Sequence, residues 1–280
     1  MRVWFRAAVL PDGAEVRSVR GMKRILAVWA AVCVWAAVAS AEPGVLTQWS
    51  TIDALVTGHY DGEVSLAEVK RHGDFGLGTF EGADGEMVLL DGRVYQITSG
   101  GEVREPDDAV RSPFAAAVVF KKADFELSLP AGLTLEQVKA RVESALPSKN
   151  VFYAVRVDGR FDEVRTRSVA RQEKPYPPLA AVVKAQSLFT LTKSEGTLVG
   201  LRCPEFAKGV NVPGYHFHYL QSDHTAGGHV LGLVTGEGVR VRVAVLREWS
   251  VKLPASAAFD ALDLSGDRAA ELKAVESERK

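Results

Sequence analysis

Asn211-Val-Pro-Gly-Tyr-His-Phe-His-Tyr-Leu220, continued by Gln-Ser-Asp-His-Thr-Ala-Gly-Gly-His229, holds four of the chain's six histidines. Tyr215, Phe217 and Tyr219 alternate with His216 and His218. Alternation is the period of a β-strand, so both imidazoles share one face and the three aromatic rings occupy the opposite, core face. Asp223 to Gly228 reads as a turn, which lets the chain double back and lay His229 beside the pair. Three neutral imidazoles that converge while leaving a coordination position open form the donor set of a catalytic zinc site. The same set also suits manganese, iron or nickel. Three separate, hydrogen-bonded histidines are the bland alternative, and an H-x-H pair with a third histidine across a Gly-Gly turn argues against it. His224 is expected in solvent, and His59 and His72 lack local partners.

Outward from this stretch, the sequence predicts mostly strands with a few helices. On the C-terminal side, His229 to Thr235 and Gly238 to Trp249 read as strands, and Ala269 to Glu278 as a terminal helix. On the N-terminal side, Gln186 to Leu191 and Gly196 to Cys203 read as two more strands. Val151 to Val157 and Phe161 to Val169 read as a hairpin about Asp158-Gly159. Lys174-Pro-Tyr-Pro-Pro178 interrupts the pattern and is expected to link two lobes. Thr134-Leu-Glu-Gln137 is a capping box opening a helix to about Leu146, with Leu135, Val138, Val142 and Leu146 on one face. Phe114 to Phe120 is a buried strand by its continuous apolar character. Hairpin signals at Ala83-Asp84-Gly85 and Asp91-Gly92 divide strands between Thr79 and Gln96, after the glycine-rich stretch Gly73 to Gly78. Ser65 is placed to cap a short helix over Leu66 to Lys70, and Gly44 to Asp53 reads as a loop with a short strand. The expected fold is α+β, mostly β: an N-terminal mixed sheet lobe with helices over 42–173, packed on a C-terminal β-barrel-like lobe over 174–280 that carries the histidines and a terminal helix.

The first 41 residues read as an address rather than as structure. Met22-Lys-Arg24 is basic, Ile25 to Val38 is apolar, and Ala39-Ser-Ala41 is a small-residue cleavage pattern. These are the parts of a secretory signal peptide, and Met22 is a candidate translation start in place of Met1. The apolar run is short for a membrane span, so a chain cleaved near Ala41 is expected to be exported and free of the membrane. Residues 1–41 hold six of the 34 Lys/Arg and two of the 35 Asp/Glu, leaving a net charge of −5 beyond them. That balance carries no basic stripe for nucleic acid. Cleavage also removes Cys33, leaving Cys203 unpaired as a small buried hydrophobe.

Several blocks together resemble the α-acetolactate decarboxylase family. They are Gly58-His-Tyr-Asp-Gly62, Gly73-Asp-Phe-Gly-Leu-Gly-Thr-Phe80 followed by Asp84-Gly-Glu86, Val164-Arg-Thr-Arg167 ahead of Gln172-Glu-Lys-Pro-Tyr176, and the histidine stretch through Leu231. They stand in the family's order and span nearly all of the chain beyond residue 41. The resemblance implies a metal-dependent conversion of 2-acetolactate, a 2-hydroxy-3-oxo acid, to acetoin and carbon dioxide, by a homodimer. It implies zinc ligands at His216, His218 and His229. It also places active-site acids at Glu86 and, in the C-terminal tail, Glu276, with an arginine at Arg167 and a threonine at Thr79. Ala83 stands where a larger apolar residue is usual, a departure expected to affect the hairpin rather than the chemistry.

These residue types suit the reaction. Carbon dioxide loss leaves electrons on the neighbouring carbonyl, which a metal stabilises as a Lewis acid. An arginine fork can hold the substrate's charged groups, and a carboxylic acid must return a proton. Taken singly, Arg167 reads equally as a surface strand residue beside Arg165 and Arg171, and Glu86 as a solvated hairpin position. A cupin-like metal oxygenase or isomerase also uses H-x-H. It wants a glutamate about four residues on, where this chain has Ser222. A non-catalytic, secreted metal- or ligand-binding protein would need neither Glu86, Arg167 nor Glu276.

Overall fold

A computed structural model describes residues 42–276; the expected signal peptide, its cleavage site and the alternative start at Met22 lie outside them. The strands in chain order are β1 (Val45–Trp49), β2 (Val64–Ser65), β3 (Phe75–Thr79), β4 (Glu86–Leu90), β5 (Arg93–Ile97), β6 (Val103–Arg104), β7 (Arg111–Ser112) and β8 (Ala115–Val118). They continue with β9 (Phe125–Leu129), β10 (Phe152–Ser168), β11 (Ser187–Cys203), β12 (Gly214–Gln221), β13 (Gly227–Thr235), β14 (Val239–Leu246) and β15 (Glu248–Lys252). The helices are α1 (Ile52–Val56), α2 (Leu66–Arg71), α3 (Leu135–Ala145), α4 (Leu179–Val182), α5 (Ala257–Asp260) and α6 (Ala269–Glu276). Among the described residues no helix is long and apolar enough to cross a membrane.

Two sheets face each other. One has seven strands in the order β15-β1-β8-β3-β4-β5-β6, and the other six in the order β11-β12-β13-β10-β14-β9. The first is mixed because β1 runs parallel to β15 and antiparallel to β8. Strand alternation decides what lies between the sheets. Val88 and Leu90 of β4 point inward with Leu77, Val199, Leu201 and Leu220, whereas Met87 and Leu89 point outward and pack with Leu66 and Val69 of α2. On the outer face of the six-stranded sheet, Phe217 and Tyr219 pack with Leu135, Val138 and Val142 of α3. The result is four layers, helix, sheet, sheet, helix. Cys203 sits in the inter-sheet core, where burial pushes its thiol up to about 12.

The capped helices appear as expected. Thr134 accepts from the Gln137 backbone while the Gln137 side chain accepts from the Thr134 N–H, and Ser65 caps α2 by accepting from the Glu68 N–H.

The larger departures come from tertiary pairing. Asp158-Gly159 is not a hairpin turn: β10 runs through it as one long strand. Likewise 186–191 and 196–203 are one strand, β11, which pairs with β10 from Tyr153↔Arg202 to Ser168↔Ser187. Asp-Gly signals a turn because it tolerates positive φ. Here Gly159 uses φ +149 to let Val239 come close, while Asp158 is fixed by Arg156 of its own strand and Arg242 of β14. Residues 238–249 are two strands, since the Arg247 N–H turns aside to donate to the Gly44 carbonyl. The sheets therefore do not divide at residue 174: β9 and β10 precede it in the six-stranded sheet, and β15 follows it in the seven-stranded one. The barrel-like closure is partial. Pairings circle through β10, β11, β12, β13 and back to β10, and β14 and β9 continue as an open flank.

Candidate active site

The site lies between the sheets, and both build it. Thr79 and Glu86 face each other across the β3–β4 pair. His216 and His218 of β12 continue the inward face that Leu220 begins, with Tyr215, Phe217 and Tyr219 on the other side. His229 of β13 pairs with both His218 and Arg167 of β10. Glu276, the last residue of α6, reaches in from the C-terminal segment to 3.9 Å from His216 Nε2 and 3.7 Å from His229 Nε2. All seven residues named from the sequence line one cavity of about 40 Å³, walled on its apolar side by Ile52, Leu55, Phe114 and Leu179. His224 is exposed against Tyr95, His59 pairs with Glu63, and His72 meets Lys252, all outside this cavity. Ala83 does more than shape the hairpin, because it is buried and lines the same cavity.

The three histidines can hold a cation. His216 Nε2 lies 3.2 Å from His218 Nε2 and 3.1 Å from His229 Nδ1. Two donor atoms on one tetrahedral zinc ion, at about 2.0–2.1 Å each, stand roughly 3.3 Å apart. The backbone carbonyl of Met87 can only accept, so His218 Nδ1 donates to it at 2.7 Å, leaving the Nε2 lone pair for the cavity. Burial, then Arg167 and Lys139, push His216 down to about 3. Burial also holds His218 and His229 well below the usual histidine range. A neutral His216 offers at most one proton at Nε2, which cannot fully serve both neighbouring ring nitrogens, and a cation bound to all three lone pairs removes that conflict.

The other side chains leave work undone in the same place. Arg167 is 4% exposed and its Nε has no hydrogen-bond partner, as is true of His216 Nδ1. Burial raises Glu86 to about 7, with Arg167 opposing and Glu276 adding to the shift; burial raises Glu276 to about 7 as well. Each carboxyl is thus able to carry a proton near neutral pH. Thr79 donates to the Gly85 carbonyl at 2.7 Å, tying β3 to the hairpin that positions Glu86. The role of the Met87 carbonyl had no signal in the sequence, because any residue at that position supplies the same atom.

The model of the alpha-acetolactate decarboxylase family matches residues 46–266 of this chain. The chain belongs to that family. An alpha-acetolactate decarboxylase from Methanosarcina mazei is 45% identical over 232 residues, covering 83% of this chain and 80% of the relative. The decarboxylase of Bacillus subtilis strain 168 is 39% identical over 212 residues, covering 76% and 82% respectively. A crystal structure of alpha-acetolactate decarboxylase from that strain superimposes with a TM-score of 0.81 at 36% identity, covering 84% of this chain and all of the other. Within the decarboxylase family frame, the inter-sheet position of the histidines places the cavity where both sheets and the C-terminal helix contribute to it.

Proposed function

We propose that this chain decarboxylates 2-acetolactate to acetoin and carbon dioxide, with a single divalent ion, zinc, held by His216, His218 and His229. The observation that carries the reading is the convergence of three neutral imidazoles, one arginine and two protonatable carboxyls on one buried cavity in a member of this family. A passive metal-binding protein has no use for the last three groups.

When bound, the ion supplies Lewis-acid stabilisation for the negative charge that carbon dioxide loss leaves on the substrate oxygens. Arg167 offers the substrate carboxylate a buried guanidinium with an uncommitted Nε donor. As the bond to the carboxyl carbon breaks, its electrons move to the adjacent carbonyl carbon and oxygen. One proton must then reach the carbon that lost carbon dioxide. Glu86 and Glu276 are the groups that hold it, since burial keeps both carboxyls protonatable near pH 7. The apolar wall excludes bulk water, which strengthens every charge interaction inside. The deciding experiment is product analysis: incubation with acetolactate should release acetoin and carbon dioxide at about one metal per chain. An unchanged substrate in the presence of a fully metallated protein would refute the reading.

Export and homodimer assembly complete the proposal. Export is supported by Met22-Lys-Arg24, the apolar run and Ala39-Ser-Ala41. The native protein should begin near Glu42 on N-terminal sequencing. The dimer is supported by the family resemblance, and light scattering checks it.

A further inference from the structure

The cavity over the histidines, about 40 Å³, is far smaller than the roughly 300 Å³ or more of sites that enclose a small organic ligand. Two larger hollows adjoin it. One, of about 480 Å³, lies where the start of α3 faces β10 and β13; Lys139, Arg165 and Leu231 line it, and so do His216 and His229. The other, of about 680 Å³, runs beside the loop that leads into α6, past Lys208 and Gly266; Lys139 lines it too, but none of the three histidines does. Glu276 borders all three spaces.

We propose that the groove between α3 and β13 is the passage by which an anionic substrate reaches the histidines, that Glu276 is the partition at its floor, and that Lys139 is a positioning residue drawing the substrate carboxylate inward. The decarboxylase reading supplies the identity of the substrate; the passage itself rests on the cavities. Lys139 stands at the groove with its ammonium 2.9 Å from Glu136. That partner is 81% exposed, so water screens the pair and leaves most of the lysine's field in place. The lysine lines the same groove as His216, His229 and Glu276. Arg165, beside it, is engaged with Glu163 at 3.3 Å. A charge at the mouth of a low-dielectric groove raises the local concentration of an oppositely charged ligand, and the effect fades with salt.

Two bulky substitutions separate the hollows. Leu231→Trp fills the groove and should lower kcat/KM for acetolactate at least about tenfold, with metal content and kcat near wild type. Gly266→Trp fills the other hollow and should leave kcat/KM unchanged. Lys139→Gln, a change at the protein surface, should lower kcat/KM roughly two- to tenfold at low salt, with the deficit vanishing at high salt and restored by Lys139→Arg. Loss in Gly266→Trp with none in Leu231→Trp overturns the passage. A Lys139→Gln deficit that ignores salt, or falls on kcat alone, overturns the role of Lys139. Calorimetric binding of 2,3-dihydroxy-2-methylbutanoate, an unreactive acid of the same charge, repeats the comparison without turnover. A chain that binds this acid through the groove but leaves acetolactate intact fails the functional reading and keeps the passage.

Discussion

Near the middle of β10, Asp158 accepts hydrogen bonds from Arg156 at 2.9 Å, Arg242 at 2.8 Å and Thr197 at 2.9 Å. Near its end, Arg167 keeps a buried nitrogen without a partner, and so does His216 of β12. The titrations separate the same way. Burial would raise Asp158, but its arginine and threonine partners outweigh it and hold the carboxyl below the ordinary range. Burial raises Glu86 to about 7, and the opposing charge of Arg167 does not offset it. The strand β10 thus contributes Asp158 to a polar cluster satisfied by the protein and Arg167 to one, shared with β12 and β4, that is left unsatisfied until something binds. Satisfied clusters hold folds together; unsatisfied ones mark where a ligand completes the structure.

The largest expected effect comes from removing the metal donors. His218→Ala should lose metal and activity together while the fold survives; full metal content by elemental analysis would break the contrast between the clusters. Next, Glu86→Gln should retain metal and lose on the order of 10²–10⁴ in turnover, read by steady-state kinetics. Its stability should move the other way. The unfolded chain ionises this carboxyl near its ordinary value, so burying it costs stability increasingly up to about pH 7. Glutamine removes that cost, and the metal-free melting temperature should hold or rise. A marked fall in melting temperature would place Glu86 with the structural cluster instead.

Asp158→Asn tests the satisfied cluster and should cost about 1–3 kcal/mol in denaturant melts at neutral pH, with kinetics near wild type. The lowered carboxyl stabilises the fold above its unfolded-state value, and that contribution fades as pH falls through the depressed one. The variant should therefore lose less stability on acidification than the parent; parallel acid curves would contradict the assignment. The smallest effect is expected at Gly159→Ala. A Cβ there would lie 2.8 Å from Val239 Cα at φ +149, costing roughly 1–2 kcal/mol by the same melts. No loss would mean that β10 has slack at its bend.

What the sequence made legible was local. The capping box at Thr134, the strand alternation at 215–219 and the turn before His229 each depend on neighbours a few residues away, and the structure carries all three. The continuity of β10 and β11 was hidden because partners distant in sequence stabilise Asp158-Gly159 in an extended strand. The crossing of β15 into the other sheet was hidden for the same reason. Within the site, spacing alone pointed to the histidines. Glu86, Arg167 and Glu276 came through family resemblance, since a lone acid or arginine on a strand or helix looks like any solvated residue. Lys139 had no signal at all: it occupies the polar flank of an ordinary capped helix.

The parallel pairing of Val45 with Glu248 fixes when the first sheet can be completed. The strand that opens the described chain gains one of its two neighbours only after almost every other strand has been made. Contacts this far apart in sequence slow folding and leave a strand edge exposed meanwhile. Under the export proposed above, that delay would have a use. A chain unable to finish its sheet while it is still being synthesised stays threadable, and the closing strand becomes available only when the C-terminal segment has followed it across the membrane.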